Sequence, residues 1–161
     1  MSEFNIKFRE MTDDEFNKFL EGSILSYSTD LVRAGMYSAE AAFINSKEQF
    51  NLLLPQGNYT QNQYLYIIEN NENEDLGHIW YEKNEENIAF ICNFFILEKF
   101  RKKGYGRQAL LLVEKDAKSK DFNKIFLHVF KFNDNAISLY KSIGYKVFQE
   151  ESGGMYLVKD I

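Results

Sequence analysis

One cysteine, one proline and two histidines are all that 161 residues contain of these three types, and each scarcity closes off a class of protein. Cys92 alone cannot form an intramolecular disulfide, and with only His78 and His128 beside it a structural zinc site lacks ligands. A reducing compartment and no resident metal are therefore expected. No stretch approaches the ~20 consecutive apolar residues that cross a bilayer, and the first ten residues, MSEFNIKFRE, carry charges where a secretion signal would need an apolar run. The expectation is a cytoplasmic chain with no membrane partner. Basic residues are outnumbered, 19 against 24 acidic, and the net charge of −5 offers no general positive field to a phosphate backbone, so nucleic acid is not an expected partner.

What the chain does contain fits a globular protein. Apolar residues make up 45% and charged residues 27%, and a length of 161 suits one domain covering residues 1–161. Aromatics reach 16%, with 15 Phe and 10 Tyr, enough to build a core or a cleft from flat rings.

Periodicity orders the chain. Phe4, Ile6 and Phe8 alternate with polar residues and predict a first strand over about 4–10. Thr12 and Glu15 form a capping box ahead of Phe16, Phe19, Leu20, Ile24, Tyr27 and Leu31 at helical spacing. Ser38 is a plausible N-cap for a second helix with Ala41, Ala42, Phe50 and Leu53, stopping before Pro55. Strand patterns over 64–69, 76–81 and 88–97, separated by the turn-rich runs NNENED and KNEEN, predict an antiparallel meander. Ala109, Leu110, Val113 and Ala117 share one face of a third helix, and 125–130 is an apolar run of strand length. Asn133 is expected to cap a last helix carrying Ala136, Leu139, Tyr140 and Ile143, with Gly144 at its end, before two short strands over about 145–150 and 154–159.

Chemistry concentrates in the step from the strand ending near Phe94 into Arg101-Lys102-Lys103-Gly104-Tyr105-Gly106-Arg107 and a helix. A glycine-rich turn feeding a helix start leaves convergent N–H groups beside the positive end of the dipole, which suits an anion such as a pyrophosphate. The same turn also reads as a basic strand-to-helix connection whose glycines merely permit positive φ. A Walker loop is absent, and Ala109 stands where a dinucleotide fingerprint needs its third glycine.

Arg101-x-x-Gly104-x-Gly106, followed by Asn133-x-x-Ala136-x-x-Leu139-Tyr140-x-x-x-Gly144-Tyr145, resembles the two signatures of the GCN5-related N-acetyltransferase family. The order of expected elements resembles that family over essentially the whole chain. This implies an α/β fold with a mixed, mainly antiparallel sheet flanked by helices. It also implies acetyl-CoA as cosubstrate, a small-molecule or peptide amine as acceptor, and no metal. Phe94, Phe95 and Ile96 would offer free backbone to the pantetheine arm, Arg101 would stand among the cofactor-binding residues, Lys102, Lys103, Gly104, Tyr105, Gly106 and Arg107 would hold the pyrophosphate, Asn133 would reach the cofactor, and Ala136 would leave it room.

By the same resemblance Tyr140 is the acid that protonates the departing thiolate, although its pattern alone reads as a core-facing helix tyrosine. Many relatives carry a glutamate as base where this chain has His128, whose imidazole could take the proton; Glu82 and water are rivals, and a structural histidine is the plain reading. Cys92, on an apolar strand, is expected in the core rather than as a nucleophile. Trp80, Tyr81, Tyr27, Tyr37 and Tyr59 are candidates for an aromatic wall around an amine, and packing between sheet and helices explains them equally well; Asn93 and Glu69 are candidates for lining the acceptor side. An acyl-CoA-binding module without turnover is the alternative function, and a homodimer is left open.

Overall fold

The computed structural model describes residues 4–161. The first helix begins where the capping box predicts. The Thr12 hydroxyl accepts from the Glu15 amide at 3.2 Å and the Glu15 carboxylate accepts from the Thr12 amide at 2.9 Å, satisfying donors that a helix start leaves unpaired. Strand β1 (Ile6–Glu10) precedes this helix, α1 (Asp13–Arg33). Helix α2 (Ala39–Leu53) follows, its start capped by the Ser38 hydroxyl on the Ala41 amide at 3.3 Å. The meander comprises β2 (Gln63–Asn70), β3 (Asp75–Glu85) and β4 (Ile88–Ile96). Beyond it come α3 (Tyr105–Ser119), β5 (Lys124–Phe130), α4 (Asp134–Ser142), β6 (Lys146–Glu150) and β7 (Gly154–Asp160). Strand β3 outruns its apolar stretch because Glu82, Lys83 and Glu85 still pair with Phe90, Ala89 and Ile88, and ladder bonds are indifferent to side-chain polarity.

The sheet runs β1-β2-β3-β4-β5-β7-β6, and β4 with β5 is its parallel pair, so the mixed, mainly antiparallel α/β architecture is the one expected. One face packs on α3: Ala109, Leu110, Val113 and Ala117 are buried with Ile79, Tyr81, Ala89, Ile125, Leu127 and Leu157. The other packs on α1 and α2, where Phe16, Phe19, Ile24 and Phe50 meet Leu65, Ile67 and Trp80. Alternation along β5 puts Leu127 and Val129 in the α3 core and turns His128 to the opposite face.

Strands β4 and β5 pair only from Ile88 with Lys124 to Ile91 with Leu127, then diverge. The bend has a local cause. Trp80 and Tyr81 oppose Asn93 and Ile91, so Cys92 is an extra residue in β4, and such a bulge bends and twists its strand where the pairing stops. Farther along, Gly77 of β3 lies so close to the Phe95 carbonyl that no Cβ fits there.

Candidate active site

The divergence opens a cleft of about 390 Å³. Cys92, Asn93 and Phe94 of β4 form one wall and His128 and Phe130 of β5 the other, with Asn133 and Tyr140 at the α4 end and Tyr27, Asp30, Gln49 and Phe50 contributed by α1 and α2. Tyr140 and His128, on the successive elements α4 and β5, thus border one space.

Tyr140 is buried, its ring edge-on to Tyr145 at 5.7 Å, and burial pushes its phenol up to about 12. A phenol so disposed keeps its proton through the neutral range and can donate it. His128 is half-buried between the rings of Phe130 at 5.1 Å and Tyr156 at 5.0 Å, both edge-on, with its Nε2 against Gly154. Burial lowers its pKa, partly offset by the charge of Glu151, so the imidazole is neutral and able to accept a proton near pH 7.

The glycine turn lies beyond the end of β4. Gly104 has φ +84° and Lys102 φ +61°, and the first helical hydrogen bond of α3 is Gln108 N–H to Gly104 O at 3.1 Å. Among the described residues the N–H groups of 102–107 have no protein partner. Gly106 sits close under α4: a Cβ there would lie 3.4 Å from Leu139 Cδ2 and 3.7 Å from Phe94 Cζ. Arg101 turns away from the turn. Its Nε donates to the Ile96 carbonyl at 2.7 Å and its guanidinium lies 5.0 Å from the Phe95 ring centre, bracing the end of β4. Phe95 is exposed and stacks on His78, whose Nε2 meets Asn93 Oδ1 at 2.8 Å. Phe94 and Ala136 are half-buried against the α3-side core. Asn133 precedes α4 at the cap position but makes no capping bond, because its ψ of 66° departs from the extended backbone that aims a cap side chain at the helix amides. The expected cap is therefore missing, and the Asn133 side chain borders the cleft.

Several candidates fall elsewhere. Tyr81 is on the α3 face, bonded to Asp116; Tyr37 and Tyr59 are exposed, Tyr59 bonded to Asp13; and Glu69 pairs with Arg9 at 3.3 Å. Only Trp80 and Tyr27 of the supposed aromatic wall border the cleft. Cys92 packs on the α1–α2 core yet also borders the cleft, and burial pushes its thiol well up, so it is no thiolate nucleophile. The sequence reading missed Asp30, Phe130, Glu151 and Tyr156, all on the cleft wall. For Asp30 a signal existed: it stands three residues after Tyr27 and directly before Leu31, on the edge of the helix's apolar stripe. Glu82 is held from behind, since Trp80 Nε1 donates to Gln63 Oε1 at 2.5 Å and Gln63 Nε2 donates to Glu82 Oε2 at 2.8 Å. Among the described residues no group of His, Cys, Asp and Glu gathers to hold a metal ion, and no helix is long and apolar enough to cross a membrane.

Residues 34–145 match the model of the Acetyltransferase (GNAT) family. The chain belongs to that family and is an acyltransferase. It is 34% identical over 144 residues to the uncharacterized N-acetyltransferase YycN of Bacillus subtilis (strain 168), covering 88% of this chain and 92% of that one. The crystal structure of YycN matches with a TM-score of 0.83 over 91% of this chain and 93% of that one. The PaiA N-acetyltransferase of Thermoplasma acidophilum, crystallised with coenzyme A, shares the fold at a TM-score of 0.72, with 20% identity, 98% of this chain and 100% of that one. So does the spermidine N-acetyltransferase of Vibrio cholerae with CoA and spermine, at 0.69, with 14% identity, 97% and 95%.

Proposed function

We propose that residues 1–161 form one acetyltransferase domain that moves the acetyl group of acetyl-CoA to the nitrogen of a primary amine, by direct attack while both are bound. The observation that carries this reading is the parting of β4 and β5 after Ile91 and Leu127, which leaves backbone of β4 open beside Tyr140. When bound, acetyl-CoA supplies an activated acetyl thioester. The residues present suit it. The unpaired N–H groups of 102–107 and the positive end of α3 receive a diphosphate, with Lys102, Lys103 and Arg107 adding charge. Phe94 and Phe95 offer open backbone to an extended arm, Asn133 has a free side-chain amide, and Ala136 is small.

An ammonium is no nucleophile, so its proton must leave first. His128, kept neutral by burial, takes that proton on the acceptor side. Tyr140 keeps its own proton until charge develops on the departing sulfur and donates it there.

Free-thiol release from acetyl-CoA, measured over a panel of primary amines, tests the reading. Amine-dependent release supports it; acetyl-CoA binding with no release for any amine overturns it in favour of a binding module. His128→Gln should lower kcat/KM most at low pH, where the amine is protonated, with partial recovery as rising pH deprotonates it in solution. A uniform loss across pH with a lowered Tm would make His128 a packing residue and move the base to Glu82 or water.

A further inference from the structure

Among the described residues three carboxylates border the cleft from separate elements, Asp30 on α1, Glu82 on β3 and Glu151 after β6, and no lysine or arginine borders it. Glu82 is engaged by Gln63, and Glu151 is exposed. Asp30 stands apart. It is half-buried, yet among the described residues its carboxylate has no hydrogen bond or ion pair. Arg33, one turn on, exerts a pull at a distance, but its guanidinium is engaged 4.1 Å from the centre of the Phe132 ring. Burial wins over that pull and raises the Asp30 pKa. A carboxylate taken partly out of water with no counter-charge in contact costs stability, and such costs concentrate where a ligand supplies the missing partner.

Its position fits that role. Asp30 borders both the cleft and an adjoining hollow with Arg33, Phe132 and Asn133. On the same cleft wall the ring of Tyr27, three residues before Asp30 on α1, lies 6.4 Å from that of Phe130, and Phe130 meets His128 edge-on at 5.1 Å. A methylene stem packs on such rings, and an ammonium is attracted to their faces.

The geometry points to Asp30 as the residue that determines acceptor specificity: its carboxylate holds a second positive charge, so the favoured substrate is a dicationic amine with an apolar stem that reacts through its far nitrogen. This rests on the amine-acceptor reading and goes beyond it in naming the class of amine.

The test compares α,ω-diaminoalkanes of about three to eight carbons with n-alkylamines of equal length, by thiol release from acetyl-CoA. The best diamine should exceed its matched monoamine at least about tenfold in kcat/KM, the difference lying mainly in KM. Asp30→Asn should raise the diamine KM about tenfold with kcat changed little, shift the monoamine far less, and so erase most of the preference; Asp30→Glu should recover part of it. Calorimetry with acetyl-CoA checks that the cofactor side of the variant is intact. Equal use of diamines and monoamines by the wild type, or an equal loss on both in Asp30→Asn, overturns the assignment of Asp30 while leaving amine transfer standing. Acetyl-CoA binding with no release for any amine overturns the amine-acceptor reading itself, and the role of Asp30 with it.

Discussion

On the α3 face of the sheet Tyr81 donates to Asp116 at 2.5 Å, Lys120 pairs with Asp116 at 2.7 Å and lies over the rings of Tyr64, Tyr66 and Tyr81, and Lys159 pairs with Glu114. On the α1–α2 face, among the described residues, Asp30 has no ion pair, and His128 lies against two rings and a glycine with the charge of Glu151 acting on it. The same sheet thus carries two kinds of polar group. Tyr81 and the charged groups under α3 meet partners within the fold, although the buried Tyr145 hydroxyl there has none among the described residues, whereas Asp30 and His128 on the cleft are placed to meet partners that arrive with substrate. Half-buried groups left unpaired in a folded protein are costly, which is why they locate the site.

The sharpest way to break this division is Tyr140, which packs with the α3 core yet borders the cleft. Tyr140→Phe keeps the ring and deletes the proton. If it is the acid, kcat falls by about 10²-fold while acetyl-CoA affinity and Tm stay near wild type. A kcat within a factor of two, measured where chemistry limits the rate, would assign Tyr140 wholly to the packed face.

A smaller effect is expected at the turn. Nothing lies within 4 Å of a Cβ added to Gly104, but its φ of +84° disfavours any L side chain and a branched one would crowd an anion on the amides. Calorimetry on Gly104→Val should show acetyl-CoA binding weakened about tenfold, or ~1.4 kcal/mol. Unchanged affinity in a folded variant would remove the diphosphate from this turn.

Much of this was legible in the sequence because period and capping are local. The alternation at Ile6 and Phe8, the Thr12–Glu15 box and the stripe from Ala109 to Ala117 each required only neighbouring residues. The cleft wall is not local. Cys92 bulges only because Trp80 and Tyr81 pair across it, a register fact that one strand's pattern does not carry. Tyr81 could be read as wall or as packing because the stretch 76–81 is apolar at nearly every position and does not disclose which residues face which helices. Asn133 looked like a cap by type, but a cap needs a backbone angle that residue type does not encode.

On the paired face the expected loss is in stability alone. Tyr81→Phe removes a buried hydroxyl that bonds a carboxylate, while Lys120 still holds Asp116. The cost should be about 1–2 kcal/mol, lowering Tm by roughly 2–6 °C, with kcat and KM near wild type. A large loss of activity at full stability would mean that the two faces are coupled.

The smallest effect sharpens the comparison by showing that closeness to the cleft, rather than the face, decides which groups are paired. At the start of α1, Arg9 bonds both carboxylate oxygens of Glu15, at 2.7 and 2.8 Å, and reaches Glu69 and Asp75. Its hydrogen bonds hold the Glu15 carboxyl at about 2, well below the usual range. A carboxyl lowered on folding contributes stability above its ordinary pKa near 4.5 and loses it as pH falls toward 2, because the unfolded chain takes up the proton first. His78 and His128, lowered by burial, act in a higher window: stability falls as pH drops below about 6.5, where unfolding lets them protonate. Glu15→Gln retains an oxygen for the Thr12 amide but loses the ion pair. Because the pair is partly exposed and screened, the variant should lose only about 0.5 kcal/mol at pH 7. Its urea midpoint should fall less steeply than that of wild type between about pH 5 and 2, with the slope between 7 and 5 retained. Parallel curves through the acid window would show that the Glu15 carboxyl titrates alike in the folded and unfolded chain, so that the pair contributes nothing on folding.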